Sequence, residues 1–178
     1  VVEQAKKYNC GRVRSVVCPY RATLAPAVAM RVVPELLGPG GSLIELDLSC
    51  VELNGTWAST FGEAAVASAA LRTLGLDECN LQGPLPELRL PALWKLSLSG
   101  NLLTGGLEPL QGCTALQELS IQANQLTGSL MPLQGCTVLR ELSLQDNKLT
   151  GSLEALRGCT AVQSLMLDDN ELTGGLEP

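Results

Sequence analysis

One pattern, L-x-x-L-x-L-x-x-N-x-L-x-G, returns along this chain in a fixed register and limits what the chain can fold into. It reads Leu93-Leu96-Leu98-Asn101-Leu103-Gly105, Leu116-Leu119-Ile121-Asn124-Leu126-Gly128, Leu139-Leu142-Leu144-Asn147-Leu149-Gly151 and Val162-Leu165-Leu167-Asn170-Leu172-Gly174. The first positions, 93, 116, 139 and 162, are 23 residues apart each time. Two looser copies precede them, Leu43-Leu46-Leu48-Val51-Leu53-Gly55 and Leu71-Leu74-Leu76-Cys79-Leu81-Gly83. Leu-x-Leu has the two-residue period of a short strand with both leucines on one side. Such a strand cannot cover its own apolar face, so the copies must stack into one continuous core. At a strand spacing of about 4.8 Å, six copies give a parallel ribbon about 24 Å long. Its strands are expected near 46–48, 74–76, 96–98, 119–121, 142–144 and 165–167.

The register also places Asn101, Asn124, Asn147 and Asn170 in one column, where the chain turns away from each strand. Their amides can serve backbone groups that would otherwise be buried without partners. In the first two copies that column holds Val51, which has no donor, and Cys79, a weak one, so the ladder is expected to weaken toward the N-terminus. Beyond the asparagine, Leu-Thr-Gly turns the chain and a second leucine pair, such as Leu107 and Leu110, points back inward. Gly and Pro in these return segments predict turns or 3₁₀ pieces, not long helices. The alanine-rich stretch 56–70 is different and is expected to be a true helix.

Composition agrees with repetition. Leucine supplies 36 of the 178 residues, whereas Phe, Trp and Tyr together supply five. The chain has no histidine. That excludes nucleophile systems that use an imidazole base, along with the common zinc sites. No apolar run approaches the roughly 18–20 residues of a bilayer span. Cofactors are expected to be absent, and the cysteines show no metal-binding C-x-x-C spacing. The net charge of −6 divides into +4 over residues 1–42 and −10 over 43–178. An acidic array repels phosphate backbones, which argues against nucleic acid as a ligand of the main body.

At these copies the chain resembles the leucine-rich repeat family, over about residues 43–178. Leu103-Thr104-Gly105-Gly106-Leu107-Glu108-Pro109-Leu110 is similar to the L-T-G-x-(L/I)-P segment of plant-type repeats, which usually run one residue longer. The Gly-Cys-Thr triplets at 112–114, 135–137 and 158–160 are more like algal arrays. The resemblance implies a curved solenoid used for binding. The fold expected is therefore an α/β repeat: a right-handed leucine-rich-repeat solenoid with a parallel concave β-ribbon and a partly helical N-terminal cap.

The variable positions of L-x-x-L-x-L-x-x-N should then face solvent on the concave side. They hold nine acids (Glu45, Asp47, Asp77, Glu78, Glu118, Glu141, Asp146, Asp168 and Asp169) and three bases (Arg72, Lys95 and Arg140). Trp94 and Met166 are the large apolar exceptions, with Ser97, Ser120 and Ser143 in a small-residue column between them. The candidate partner-binding residues are Trp94, Lys95, Glu118, Arg140, Glu141, Asp146, Met166, Asp168 and Asp169. They suit a protein partner with a basic surface, with Trp94 as an anchor.

Residues 1–42 do not fit the repeat and are read as a cap and linker ahead of the array at 43–178. Val1–Asn9, Arg12–Val17 and Ala25–Leu37 read as short helical pieces, and Gly38–Gly41 as a linker. Arg12, Arg14, Arg21 and Arg31 offer the alternative of a basic docking surface for a second partner. The run 172–178 stops inside a repeat and the chain starts without Met, as expected for a piece of a longer array. Cys113, Cys136 and Cys159 share one repeat position and are expected to be buried free thiols in a column, while bridging of Cys10 to Cys18 depends on the compartment. Asn54-Gly55-Thr56 is a glycosylation acceptor only in a secreted chain, and the compartment stays open.

Three functional classes follow. The favoured one is a non-enzymatic interaction module or scaffold. One variant of it is an accessory subunit of a large membrane assembly such as an algal photosynthetic complex, and the second class is the recognition part of a longer receptor. A carboxylate hydrolase built on Glu118 and Glu141 is disfavoured, because simple repetition accounts for their pairing.

Overall fold

A computed structural model of the chain describes residues 15–17, 43–55, 68–88 and 90–175. In chain order its strands are β1 (Ser15–Val17), β2 (Glu45–Asp47), β3 (Thr73–Gly75), β4 (Gln82–Pro84), β5 (Lys95–Ser97), β6 (Leu102–Thr104), β7 (Glu118–Ser120), β8 (Thr127–Gly128), β9 (Glu141–Ser143), β10 (Lys148–Ser152), β11 (Ser164–Met166) and β12 (Glu171–Thr173). Seven of them form one parallel ribbon in the order β1-β2-β3-β5-β7-β9-β11. Register is strict: Leu46, Leu74, Leu96, Leu119, Leu142 and Leu165 lie opposite one another at the strand centres. Each strand starts one residue before the expected position, but its bonding runs on through the second leucine, as in Leu98 N to Ser120 O at 2.8 Å and Gly100 N to Gln122 O at 3.0 Å.

Leucines of the pattern form the core, and from Leu43 to Leu149 they are almost wholly buried. Each fully buried leucine contributes about 1.5–3 kcal/mol from removal of apolar area from water. The asparagines join one repeat to the one before. Asn124 Oδ1 accepts from Leu103 N at 3.0 Å, while its Nδ2 donates to Leu98 O at 3.0 Å and to Ile121 O at 3.2 Å. Asn101, Asn147 and Asn170 repeat this arrangement. Cys113, Cys136 and Cys159 are free, buried thiols stacked at one repeat position, with Sγ of Cys113 donating to Leu88 O at 3.3 Å.

The return segments carry 3₁₀ turns at Glu108–Leu110, Met131–Leu133 and Leu153–Leu156. Pro109 and Pro132 sit in the first turn of two of them, where a missing N–H costs nothing. The third is capped instead by Ser152 Oγ, which accepts from Glu154 N at 3.1 Å. Leu-Thr-Gly does more than turn the chain. It builds a second set of short parallel pairs, β4 with β6 and β8-β10-β12. Gly105, Gly128, Gly151 and Gly174 hold φ of 79°, 82°, 85° and 79° there, a region that side chains rarely enter.

Two expectations need correction. The helical reading of Arg12–Val17 fails over its described part: Ser15–Val17 is a strand pairing in parallel with Glu45–Asp47, and the ribbon has seven strands instead of six. Val16 and Val17 are β-branched and suit a strand, and the free edge of β2 supplies the partner. The helix expected over 56–70 is not present at 68–70, where the chain bends without regular structure, and 56–67 lie outside the described residues. Also outside them lie the helical pieces at 1–9 and 25–37, the 38–41 linker, Cys10, Cys18 and the arginines at 12, 14, 21 and 31.

Candidate interaction surface

Because residues alternate across a strand, the side chains flanking each central leucine stand on the outer face of the ribbon. The register then sorts them into columns. One runs Ser15, Glu45, Thr73, Lys95, Glu118, Glu141, Ser164, and another Asp47, Gly75, Ser97, Ser120, Ser143, Met166. Lys95 Nζ and Glu118 form an ion pair at 2.8 Å with both side chains partly exposed. The hydrogen bond to Glu118 lifts the Lys95 ammonium above its ordinary range, against partial burial and with added pull from Glu118 and Glu141. Glu141 lies directly opposite Glu118, an unfavourable like-charge pairing. Lys95, Glu118, Ser120, Glu141, Ser143 and Met166 line one shallow depression of about 150 Å³.

The nine acids are not alike: Glu118 is paired with Lys95, Glu45 accepts from Ser15 Oγ at 2.8 Å and Glu78 from Cys50 Sγ at 3.8 Å, and the other six are of two kinds. Asp47 and Asp77 are turned inward on the chain. Asp77 Oδ1 accepts from Ser99 N at 2.6 Å and from Ser97 Oγ at 2.7 Å, and Asp47 Oδ1 accepts from Ser49 N at 3.0 Å. Gly75 keeps room for the latter, since a Cβ there would lie 2.8 Å from Asp47 Oδ1. Glu141, Asp146, Asp168 and Asp169 are exposed and have no cationic partner among the described residues.

Asp146 and Asp169 are not on the flat of the ribbon. Both occupy the corner after the strand, with Cys50, Glu78, Gly100 and Ala123 at the same repeat position and all at φ between 53° and 67°. The corner amides continue the ladder, for example Asp146 N to Asp168 O at 3.1 Å. Aspartate tolerates this left-handed backbone better than most residues. Asp168 and Asp169 also border a hollow beside the last strand.

The structure thus brings Lys95, Glu118, Glu141 and Met166 together and leaves the other candidates apart. Trp94 and Arg140 lie one residue ahead of β5 and β9, Trp94 half-buried and Arg140 exposed, and neither lines the depression. Met166 is 42 % exposed and receives the Gln145 amide at 3.6 Å from its sulfur. Gln145 is a residue that the sequence reading did not single out: its side-chain oxygen is buried and has no donor among the described residues. No local pattern marks it, because Gln122 occupies the same repeat position.

A family model described as Leucine Rich Repeat matches residues 138–159. No curated protein matches in sequence. Among solved structures, a chain of the BIR3–SERK2 complex from Arabidopsis thaliana is 31% identical with a TM-score of 0.61, over 76% of this chain and 72% of that one. The plant peptide hormone receptor RGFR1, in complex with RGF2, is 26% identical with a TM-score of 0.68, over 75% of this chain and 22% of the receptor. An internalin C2 from Listeria monocytogenes is 28% identical with a TM-score of 0.63, over 74% of this chain and 54% of the internalin. The chain therefore spans about a fifth of the receptor and about half of the internalin.

Proposed function

Since the chain belongs to the leucine-rich repeat family, we propose that it is a non-enzymatic protein-binding module that takes a basic partner on the outer, concave face of its ribbon. The observation that carries this reading is the group of exposed carboxylates at Glu141, Asp146, Asp168 and Asp169, which lack a cationic partner among the described residues. A basic surface docked there would relieve the Glu118–Glu141 apposition and place an apolar group against Met166. Charges of this exposure act mainly on encounter. The likeness to a plant peptide receptor supports a second reading, the recognition part of a longer receptor, which would use the same face.

The test begins with capture of partners on the immobilised protein and their identification by mass spectrometry. Asp146→Asn, Asp168→Asn and Asp169→Asn together should slow association of the captured partner, and binding should weaken as salt shortens the screening length from about 10 Å at 0.1 M to about 3 Å at 1 M. Asparagine is the substitution of choice because two of these positions need the left-handed backbone. Trp94→Ala should instead speed dissociation if Trp94 is the anchor. A partner whose binding ignores all four changes and the salt concentration would overturn the assignment.

A further inference from the structure

Asn-Gly occurs once in the chain, at Asn54-Gly55. The pair lies at the Leu-x-Gly turn of the first copy, where Gly55 O accepts from Gln82 N at 2.9 Å, as Gly105 O does from Thr127 N at 2.8 Å. Asn54 is exposed and stands at the position that Thr104, Thr127, Thr150 and Thr173 hold in the later copies. Glycine has no side chain to keep its peptide nitrogen from a neighbouring carbonyl carbon. The Gly55 amide has no acceptor among the described residues. The other described asparagines differ on both counts. The amides that follow Asn101, Asn124 and Asn147, those of Leu102, Gln125 and Lys148, are bound to the previous repeat at 2.8–2.9 Å. Leu81 N, after Asn80, gives to Asn101 Oδ1 at 3.0 Å. Asn170 is followed by Glu171, within β12. A further group faces Asn54. Asn80 Nδ2 donates to its Oδ1 at 2.6 Å, on the oxygen that gains negative charge when Cγ is attacked.

We propose that Asn54-Gly55 is a self-modification site, converting spontaneously to aspartate and isoaspartate, with Asn80 as the donor to the developing oxyanion. Hydroxide removes the Gly55 amide proton, and the nitrogen attacks Asn54 Cγ. The charge that collects on Oδ1 meets the Asn80 amide, already in place. When the carbonyl re-forms, the Cγ–Nδ2 bond breaks. Ammonia leaves with a proton from water, which reaches this exposed side chain, and hydroxide is regenerated. A five-membered cyclic imide remains, and water adds to either of its carbonyls and opens the ring. One opening leaves aspartate at position 54 on a normal backbone. The other leaves isoaspartate, with the main chain routed through the β-carbon and one atom longer. Both add a negative charge to a chain of net charge −6. Only the isoaspartate form displaces Gly55 O from Gln82 N and loosens the first of the Leu-x-Gly junctions. The site lies apart from the acidic outer face and does not rest on the function proposed for it.

The test is incubation of the whole protein at mildly alkaline pH, followed by peptide mapping with mass spectrometry. A synthetic peptide of residues 50–60 runs beside it as the unfolded reference. The expected result is conversion at position 54 alone among the described asparagines, at a rate that rises in proportion to hydroxide. Isoaspartate should appear among the products, and amide exchange at Gln82 should quicken in the isoaspartate fraction only. Asn80→Asp keeps the shape of the side chain and tolerates the left-handed backbone there, at φ 55°, but its carboxylate cannot donate. It should slow conversion about fivefold, the worth of one hydrogen bond. Asn54→Thr, the residue of the later turns, should fold like the wild type and keep Gln82 exchange constant through the incubation. An unchanged position 54 once the peptide has fully converted, or faster conversion at a ladder asparagine, would overturn the proposal. So would an unchanged rate in Asn80→Asp.

Discussion

The junction between the copies starting at Leu43 and Leu71 and the junctions that follow solve the same hydrogen-bonding problem differently. From Asn101 onward one side chain does all the work, accepting from the previous repeat and donating to a carbonyl on each side of the junction. At the earlier junction Cys79 supplies only the donor, its Sγ giving to Leu48 O at 3.2 Å. A thiol has no good acceptor to offer Leu53 N, and that amide turns to the backbone carbonyl of Cys79 at 3.0 Å. Val51 N folds back on Leu48 O at 3.0 Å, and Asn80 reaches Asn54 on the outside at 2.6 Å. The turn thus tolerates loss of asparagine only where the backbone can be re-routed. Asparagine makes the junction independent of such adjustment.

Breaking the regular junction should have the largest effect. Asn147→Ala strands the Leu126 amide and leaves the Ile121 and Leu144 carbonyls with one asparagine donor each, from Asn124 and Asn170, and should cost about 3 kcal/mol in urea unfolding. Asp77→Ala removes the acceptor of Ser99 N and Ser97 Oγ and should cost about 2 kcal/mol. Cys79→Ala, at the re-routed junction, should cost only about 1 kcal/mol. If it matched Asn147→Ala, the contrast between junctions would be lost.

Alkaline pH sharpens the same contrast. Burial pushes the Cys79 thiol from its ordinary 9.0 up to about 12 and that of Cys136 up to about 11. A folded pKa above the unfolded one means that stability is full below pH 9.0 and falls as pH rises through the folded values. The melting temperature should therefore drop between about pH 9 and 12, less steeply in Cys79→Ala. Smallest of all, Glu141→Gln removes the like-charge pair with Glu118 and should stabilise by about 0.3 kcal/mol.

The sequence made the ribbon legible because its information is periodic: leucines at fixed spacing fix strand centres, and the asparagine and cysteine columns follow from the same register. What it hid depends on backbone partners. β1 carries no leucine and becomes a strand because the edge of β2 is there to pair with. The second set of strands spans two to five residues each, half of them Gly, Thr or Ser, too short for an alternation to show. On the candidate surface, composition marked the carboxylates but could not separate Asp77, engaged with two serines, from Asp168, whose carboxylate has no partner among the described residues. Nor could it separate the flat of the ribbon from the corner that holds Asp146 and Asp169.

Uniform junctions also set the terms on which the gene can change length. Excising residues 116–138 would bring Leu103 against Asn147 in the place of Asn124, with the same donors, acceptors and leucine layers on both sides of the scar. A deletion of 23 residues in this part of the chain is thus conservative, whereas one of 22 or 24 throws every later leucine out of line. Unequal recombination between copies changes length only in whole repeats. A chain built this way can gain or lose binding surface in steps of one rung while the fold stays as it was.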